Sequence, residues 1–168
     1  MFEIGEHIVY GTNGICRVEE ICPSPYDKND VRNFYLLIPV HNPMGSTIYT
    51  PVDNDRVPMR RLMTREEIDA LIAAIPQIEL VEVPIEKKRR EIYRSTIGAL
   101  RPEGYVSVMK TVNRRREELI AARKHFPVSD VEYGQLAKHL LYSECAHVLG
   151  IAEEGMEAYI AQRLGAAE

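Results

Sequence analysis

The stretch TREEIDALIAAIP, Thr64 to Pro76, marks the point where the periodicity of the chain changes. Thr64 and Glu67 have the spacing of a capping box, in which each side chain binds the backbone of the other residue at a helix start. Apolar residues then recur at helical spacing until Pro76, at Ile68, Leu71, Ile72 and Ile75. The pattern predicts that a helical region begins here.

Before Thr64 the sequence predicts β-structure. Short runs rich in β-branched and aromatic residues are HIVY (7–10), ICRVEEI (15–21), FYLLIPV (34–40) and TIYTPV (47–52), and a fifth short strand is expected at 59–62. Turn-forming residues such as Gly, Asn, Asp and Pro separate them. Strands this short and this closely spaced favour a small, strongly bent antiparallel sheet or barrel.

After Thr64 the spacing of apolar residues predicts helices at about 65–75, 84–100, 104–124, 130–149 and 152–164. Pro84 suits the first position of a helix, Ser129 and Glu132 have the spacing of a second capping box, and Gly150 suits a helix end. The predicted class is therefore α+β, with a small antiparallel β-domain over residues 1–62 and an all-α domain over 63–168.

Composition limits the class of protein. The chain has 168 residues, 45% of them hydrophobic and 27% charged, which is typical of a globular protein. No apolar run approaches the length of a membrane span, and the first residues do not resemble a secretory leader. Three cysteines without a CxxC pair argue against a disulfide framework or a zinc site. We expect a cytoplasmic protein with no membrane partner.

Catalytic motifs are absent from the sequence: there is no GxGxxG, GxxxxGK[ST], GxSxG or HExxH. His139, Cys145 and His147 share one predicted helix, but positions 145 and 147 point about 200° apart, which does not suit metal ligands. Asp53 and Asp55 fit a solvated turn between strands. We expect no enzyme activity, no cofactor, no metal and no small-molecule substrate.

Charge is distributed unevenly along the chain. The stretch EKKRRE (86–91) places four cations in a row, although the formal net charge of the protein is −4. Residues 87–124 contain twelve Lys and Arg against four Glu, a net of +8, so the rest of the chain carries −12. Such a local field attracts phosphate regardless of the overall pI.

Helical geometry distributes these cations over two faces. In the predicted helix 84–100, Lys87, Arg90 and Arg94 lie opposite the apolar stripe, whereas Arg89 falls within it. Arg116 is likewise expected on the core side of the next helix, where it must reach outward or find a partner. A solvated face with pairs such as Arg114 and Glu118 is the ordinary interpretation, but such faces usually mix signs. Phosphate contact is the interpretation we favour.

The N-terminal sequence FEIGEHIVYGTNGICRVEEI (2–21) resembles the opening of the CarD-like (CarD/CdnL) bacterial transcription regulators. FYLLIPV and IYTPVDN resemble the third and fourth strands of that family, and REIYRSTIGAL (90–100) resembles the start of its helical domain. The same N-terminal module occurs in the transcription-repair coupling factor, but this chain has no ATPase motor motifs. A stand-alone regulator is the better match.

The resemblance implies a Tudor-like domain that docks on the β subunit of RNA polymerase and a helical domain that contacts promoter DNA, through its backbone and minor groove, to modulate the stability of the open complex. By similarity the docking strand comprises Thr47, Ile48, Tyr49, Thr50 and Pro51, and Pro51, which lacks an N–H, itself suggests an edge position. The expected DNA-binding residues are Lys87, Lys88, Arg89, Arg90, Arg94, Arg114, Arg115 and Lys124.

Two positions depart from the family. Tyr49 stands where some relatives carry a basic residue. The tryptophan with which the family wedges into the minor groove is missing, because the chain contains no Trp. Alignment on Tyr93 places Arg89 near that site, and an arginine offers less flat apolar surface for opening a base step.

Two other functions remain open from the residues alone. An RNA- or ribosome-associated adaptor would bind structured RNA at least as tightly as duplex DNA. A protein-interaction module would present the basic face to an acidic protein and would not bind nucleic acid.

Overall fold

The computed structural model describes residues 1–166. The chain divides into two compact units, Met1–Leu62 and a second unit that begins at Met63. Within the described residues the first unit contains five β-strands and the second five α-helices. The predicted α+β class, with a sheet followed by helices, is confirmed.

The sheet unit is antiparallel throughout. Its strands are β1 (His7–Tyr10), β2 (Ile15–Pro23), β3 (Asn33–Pro39), β4 (Ile48–Pro51) and β5 (Met59–Arg61). Their spatial order is β4-β3-β2-β1-β5, so that β4 and β5 form the two edges. All five strands lie close to the positions that the sequence predicts.

Side chains along each strand point alternately to the two faces of the sheet, and those on one face form its core. Its buried residues are Ile8, Tyr10, Cys16, Val18, Tyr35 and Leu37. Val18 faces Leu37 across β2 and β3, and the register then shifts between Val18 and Glu20, which marks a β-bulge that bends β2. Burial raises the pKa of the Cys16 thiol to about 11, so this cysteine is a core residue with little thiolate at neutral pH.

The helical unit consists of α1 (Arg65–Ala74), α2 (Arg89–Gly98), α3 (Pro102–Ala121), α4 (Val128–Leu149) and α5 (Met156–Ala166). The helices pack around a core of their own, in which the most completely buried side chains include Ile68, Tyr93, Ile97, Tyr105, Val108, Ala137 and Met156. This core is larger than that of the sheet unit.

Two predicted helix signals are present in the structure. The hydroxyl of Thr64 accepts from the backbone N–H of Glu67, and the carboxylate of Glu67 accepts from the backbone N–H of Thr64, which forms the capping box. Gly150 ends α4 in the left-handed conformation, with φ of 71°. Only local sequence is needed for either signal, because each depends on residues within one turn.

The predicted start of the second helix is wrong. Ile85 is extended and 54% exposed, a 3₁₀ turn covers Glu86–Lys88, and α2 begins only at Arg89. The carboxylate of Glu86 accepts hydrogen bonds from Arg89, one turn later, and from Arg115 on α3, and these contacts hold the turn before α2. Pro102, expected to lie between helices, opens α3, where its missing N–H has no cost.

The other predicted helix starts also need correction. Ser129 and Glu132 do not form a capping box, because α4 already begins at Val128 and no side chain caps it. Asp130, in the first turn, is fully buried. The last helix begins at Met156 rather than at residue 152, after a 3₁₀ turn at Glu153–Gly155. Among the described residues, no helix combines the length and the apolar character that crossing a membrane requires.

Candidate functional site

The edge strand β4 offers backbone groups to a partner. The N–H of Val52 donates to the carbonyl of Asn33 on β3 at 2.9 Å. Backbone groups of successive residues in an antiparallel strand point alternately toward and away from the neighbouring strand. The backbone N–H and C=O of Thr50 therefore face β3, whereas the backbone groups of Tyr49 and Pro51 face the open edge. Tyr49 supplies a donor and an acceptor there, whereas the carbonyl of Pro51 already accepts from the N–H of Asn54 at 3.0 Å.

Aromatic side chains cover the outer face of β3 and β4. The ring of Tyr26, from the loop between β2 and β3, meets Tyr49 at 6.2 Å and Phe34 at 6.1 Å between centroids, both edge to face. The guanidinium of Arg32 lies 5.8 Å from the Phe34 centroid. These contacts hold the loop against the edge strand and fix the position of the Tyr49 ring.

The same loop contains a close ion pair. Arg32 donates to Asp30 through Nε and Nη2, at 2.9 and 2.7 Å. These hydrogen bonds lower the pKa of the Asp30 carboxyl to about 2. Because the pair is exposed to solvent, it shapes the loop locally and contributes little to overall stability.

Arg89 is held inside the helical unit. Its Nε and Nη2 donate to the two carboxylate oxygens of Glu86, each at 2.9 Å, and its Nη1 donates to the hydroxyl of Tyr93 at 3.0 Å. Its side chain is 16% exposed. The hydrogen bonds that Arg89 donates to Glu86 raise the pKa of Arg89 and lower the pKa of Glu86. Arg89 is therefore already paired.

Arg115 shares the same carboxylate and a second, buried one. Its Nη2 donates to Glu86 at 2.8 Å, and its Nε lies 2.6 Å from Oδ2 of Asp130. Burial raises the pKa of Asp130, and this effect outweighs the attraction of Arg115 and Arg89, which lowers it. The cluster ties the turn before α2 to α3 and α4.

Arg90 and Arg94 lie one turn apart on α2 and are both exposed. Nε of Arg94 donates to the hydroxyl of Tyr133 on α4 at 3.3 Å, and Arg90 also interacts with this hydroxyl, which raises the pKa of Arg90. Burial raises the pKa of Tyr133, but the hydrogen bonds from the two arginines outweigh it, so that the net shift is downward. Two cations thus converge on one neutral oxygen.

The sheet unit matches a known family. The family model described as the CarD-like/TRCF RID domain covers residues 2–63, which include all five strands and the open edge at β4. The N-terminal unit is a CarD-like domain. The match indicates a transcription-related function and a partner in the transcription machinery. A search of curated proteins with the whole chain found no match.

The docking residues predicted in the CarD-like domain lie together along one strand. Ile48 to Pro51 constitute β4, and Thr47 directly precedes it. The edge position that Pro51 suggests is confirmed. Thr50 is buried and hydrogen-bonded to the side chain of Asn54 at 2.9 Å, so this predicted residue supports the strand from inside.

The basic residues predicted outside the CarD-like domain fall into three groups. Arg89, Arg114 and Arg115 are paired with carboxylates, the Arg114 pair being the exposed one with Glu118 at 3.4 Å. Arg90 and Arg94 converge on Tyr133. The remaining predicted residues, all exposed, are Lys87, Lys88 and Lys124. Lys124 lies beyond the end of α3, which is at Ala121 and about 10 Å along the helix axis from Arg114.

The expectation for Arg116 needs correction. Arg116 is exposed rather than on the core side, and its guanidinium lies 5.3 Å from the centroid of Phe126. Arg115, its neighbour, is the residue that turns inward to Asp130. The predicted apolar face of this helix was displaced by one residue, and one residue corresponds to a rotation of about 100° around the helix axis.

Sequence reasoning missed Tyr133, Asp130 and the role of Glu86. The spacing of Glu86 and Arg89 is a signal for an ion pair that the sequence does contain. Tyr133 lies 39 residues from Arg94, and Asp130 lies fifteen residues from Arg115 on a different helix, and nothing in the sequence links them. Of the set His139, Cys145 and His147, Cys145 is buried in the core and His139 contacts Glu153 at 2.9 Å. Within residues 1–166, no group of three potential ligands is placed to bind a metal.

Proposed function

We propose that this protein is a non-enzymatic cytoplasmic transcription regulator, which docks on the β subunit of RNA polymerase through β4 and contacts promoter DNA through the basic residues of 87–124. Its effect is on the stability of the open promoter complex. The observation that carries the proposal is the unpartnered edge of β4 in a domain of the CarD-like/TRCF RID family. The proposed function requires no cofactor.

The docking mode is strand addition. A strand of the β subunit would pair with the outward N–H and C=O of Tyr49, and Thr47 would extend the row by the same alternation. Tyr26 and Tyr49 lie beside that edge and supply aromatic surface for side chains of the added strand. Backbone pairing provides affinity and the neighbouring side chains provide specificity.

The DNA contact is with the backbone and is blind to sequence. Exposed lysines and arginines near the start of α2 neutralise phosphates and release counterions, so binding falls steeply with salt. Docking on polymerase holds the duplex at high effective concentration, and a weak surface is then sufficient.

Arg89 has a different proposed role from the minor-groove wedge of the family. Its guanidinium donates three hydrogen bonds to Glu86 and Tyr93, so leaving for DNA would break charge-assisted hydrogen bonds. We infer that it positions the basic turn Glu86–Lys88 and the start of α2 rather than entering the groove.

Docking is tested by Tyr49→Pro, which removes the outward N–H, against Tyr49→Phe, which keeps it. We expect the Kd for the isolated β subunit to rise about tenfold for the proline variant and to change little for the phenylalanine variant. Circular dichroism checks folding, and Thr47→Pro, placed before the strand, is the second variant. Equal binding by all of these chains would contradict strand addition.

The DNA half is tested by the lifetime of open complexes formed by the organism's own polymerase. The double variant Lys87→Gln, Lys88→Gln is expected to shift the open-complex lifetime away from the wild-type value, part of the way toward the lifetime measured without the protein. Tighter binding to structured RNA than to duplex DNA, with no capture of polymerase, would favour the RNA adaptor. Nucleic-acid binding at background would favour the protein-interaction module.

A further inference from the structure

The helical unit contains a groove between α3 and α4 that the proposed function does not use. Its volume is about 360 Å³, within the range of about 300 to 1,000 Å³ that is usual for pockets that bind small molecules. Its apolar lining comprises Met109, Val112, Phe126, Val131 and Tyr142. A ligand with an apolar body would remove this surface from water.

Gly134 brings the two helices together at the groove. A Cβ at this position would lie only 2.9 Å from Cγ1 of Val112 on α3. A residue without a Cβ therefore lets α4 approach α3 closely here. Val131 and Lys138, three residues before and four residues after Gly134, lie on the same face of α4 and line the groove.

Two cations border this groove, and each lies over one of its aromatic rings. The guanidinium of Arg116 is 5.3 Å from the centroid of Phe126, and Nζ of Lys138 is 5.4 Å from that of Tyr142. Within residues 1–166, Arg116 forms no ion pair with an acid. Lys138 meets Glu157 at 3.5 Å, and both side chains are exposed, so this pair is weak.

The lining and the cations together define the ligand. A contact with an aromatic ring leaves N–H donors of a guanidinium for hydrogen bonds, and two of these donors match the two oxygens of a carboxylate. Asn113 and Gln135 also border the groove and supply amide donors. A small inorganic anion would leave the apolar lining in contact with water, and a neutral apolar molecule would leave Arg116 without a partner.

We propose that the groove between α3 and α4 binds a small organic acid, with its apolar body against Phe126, Val131 and Tyr142. Its carboxylate accepts hydrogen bonds from Arg116, and Lys138 adds a second positive charge. Arg116 is free to do so without breaking an ion pair, whereas Lys138 gives up only its exposed contact with Glu157. This binding site is separate from polymerase docking and from DNA contact.

The test is a titration of the isotope-labelled full-length chain with sodium hexanoate, followed by amide chemical shifts in NMR. We expect saturable shifts at the residues of the groove, with a Kd on the order of 1 mM. Hexan-1-ol keeps the apolar chain and lacks the carboxylate, and acetate keeps the carboxylate with little apolar body. Both should bind about tenfold more weakly than hexanoate.

Arg116→Gln is expected to raise the Kd for hexanoate about tenfold, because a charge-assisted hydrogen bond is lost, and to leave binding of hexan-1-ol unchanged. Arg163→Gln is the matched control, because Arg163 also lies over a ring, 4.7 Å from the centroid of Tyr159, but on α5 outside this groove. Arg116 is exposed, so thermal unfolding of Arg116→Gln should be close to that of the wild type.

Each other outcome overturns the proposal. An absence of saturable shifts with hexanoate, or shifts away from the groove, would show that no site exists here. Equal binding of hexan-1-ol, or unchanged hexanoate binding by Arg116→Gln, would show that the carboxylate is not recognised. Equal shifts with acetate would show general attraction of anions. The assay contains neither polymerase nor DNA, so these results leave the proposed function untouched.

Discussion

At the scale of single residues, the basic segment contains arginines with different tasks. Arg89 and Arg90 are neighbours in the sequence, yet Arg89 is bound by Glu86 and Tyr93 whereas Arg90 shares a tyrosine hydroxyl at the surface. A helix separates adjacent positions by about 100°, which directs one side chain to the turn before α2 and the other to α4. Their charge alone does not distinguish them.

Glu86 gives a pH-dependent contribution to stability. The hydrogen bonds from Arg89 are the main cause that lowers its pKa below the ordinary value of 4.5. A carboxyl with a lowered folded-state pKa stabilises the fold above its unfolded pKa, and that contribution is lost as the pH falls through the folded value. We expect Glu86→Gln to lower the free energy of unfolding at pH 7 by less than about 1 kcal/mol, because Glu86 is exposed.

The measurement is urea unfolding of wild type and Glu86→Gln at pH 7 and at several values below 4.5. The difference between the two proteins should shrink as the pH falls. Glu91→Gln, on the first turn of α2, is the matched control for the loss of one exposed carboxylate in this region. A difference that is the same at every pH would rule out the ion pair as its source.

At the scale of elements, the end of α3 uses an arginine where a glycine is usual. Arg123 has φ of 52°, in the left-handed region. The N–H of Lys124 donates to the carbonyl of Leu119 at 2.8 Å, and the N–H of Arg123 donates to that of Ile120 at 3.0 Å. This is the Schellman pattern, and its left-handed residue carries a steric cost for any residue with a Cβ.

Arg123→Gly is expected to raise the free energy of unfolding by about 1 kcal/mol, because glycine adopts the left-handed conformation without that steric cost. Arg123→Ala is the control, since it loses the same charge and keeps the Cβ. Thermal or urea unfolding of the two variants gives the comparison. Equal stability of the glycine and alanine variants would contradict the assigned strain.

At the scale of the whole molecule, each unit has a hydrophobic core of its own. In the helical unit a hydrogen bond joins the first residue to α4. The buried carboxylate of Glu144, in α4, accepts from the backbone N–H of Met63 at 2.8 Å. A buried backbone N–H needs a partner, and Glu144 supplies it eighty-one residues away. The start of the unit is thereby joined to its longest helix.

Glu144→Ala is expected to lower the free energy of unfolding by about 2 kcal/mol, because the N–H of Met63 would remain buried without its acceptor. Glu144→Gln keeps an oxygen at the same place and should cost less. Urea unfolding measures both values, and amide hydrogen exchange at Met63 reports on the bond itself. Unchanged exchange at Met63 in the alanine variant would show that another group binds this N–H.

The sequence by itself determined the succession of strands and helices along the chain, the change of period at Thr64 and the helix caps at Thr64 and Gly150. It also determined the CarD-like character of the N-terminal unit and the edge position that Pro51 requires. The caps and the edge position depend on residues that are neighbours in the chain, so local spacing is enough to predict them, whereas the CarD-like character came from the resemblance to a known family. The sequence also located the excess of positive charge. Only the tertiary structure decided which arginines are bound and which face solvent, because Asp130 and Tyr133 reach them from a distant helix. Packing brings such groups together, and no local spacing records it.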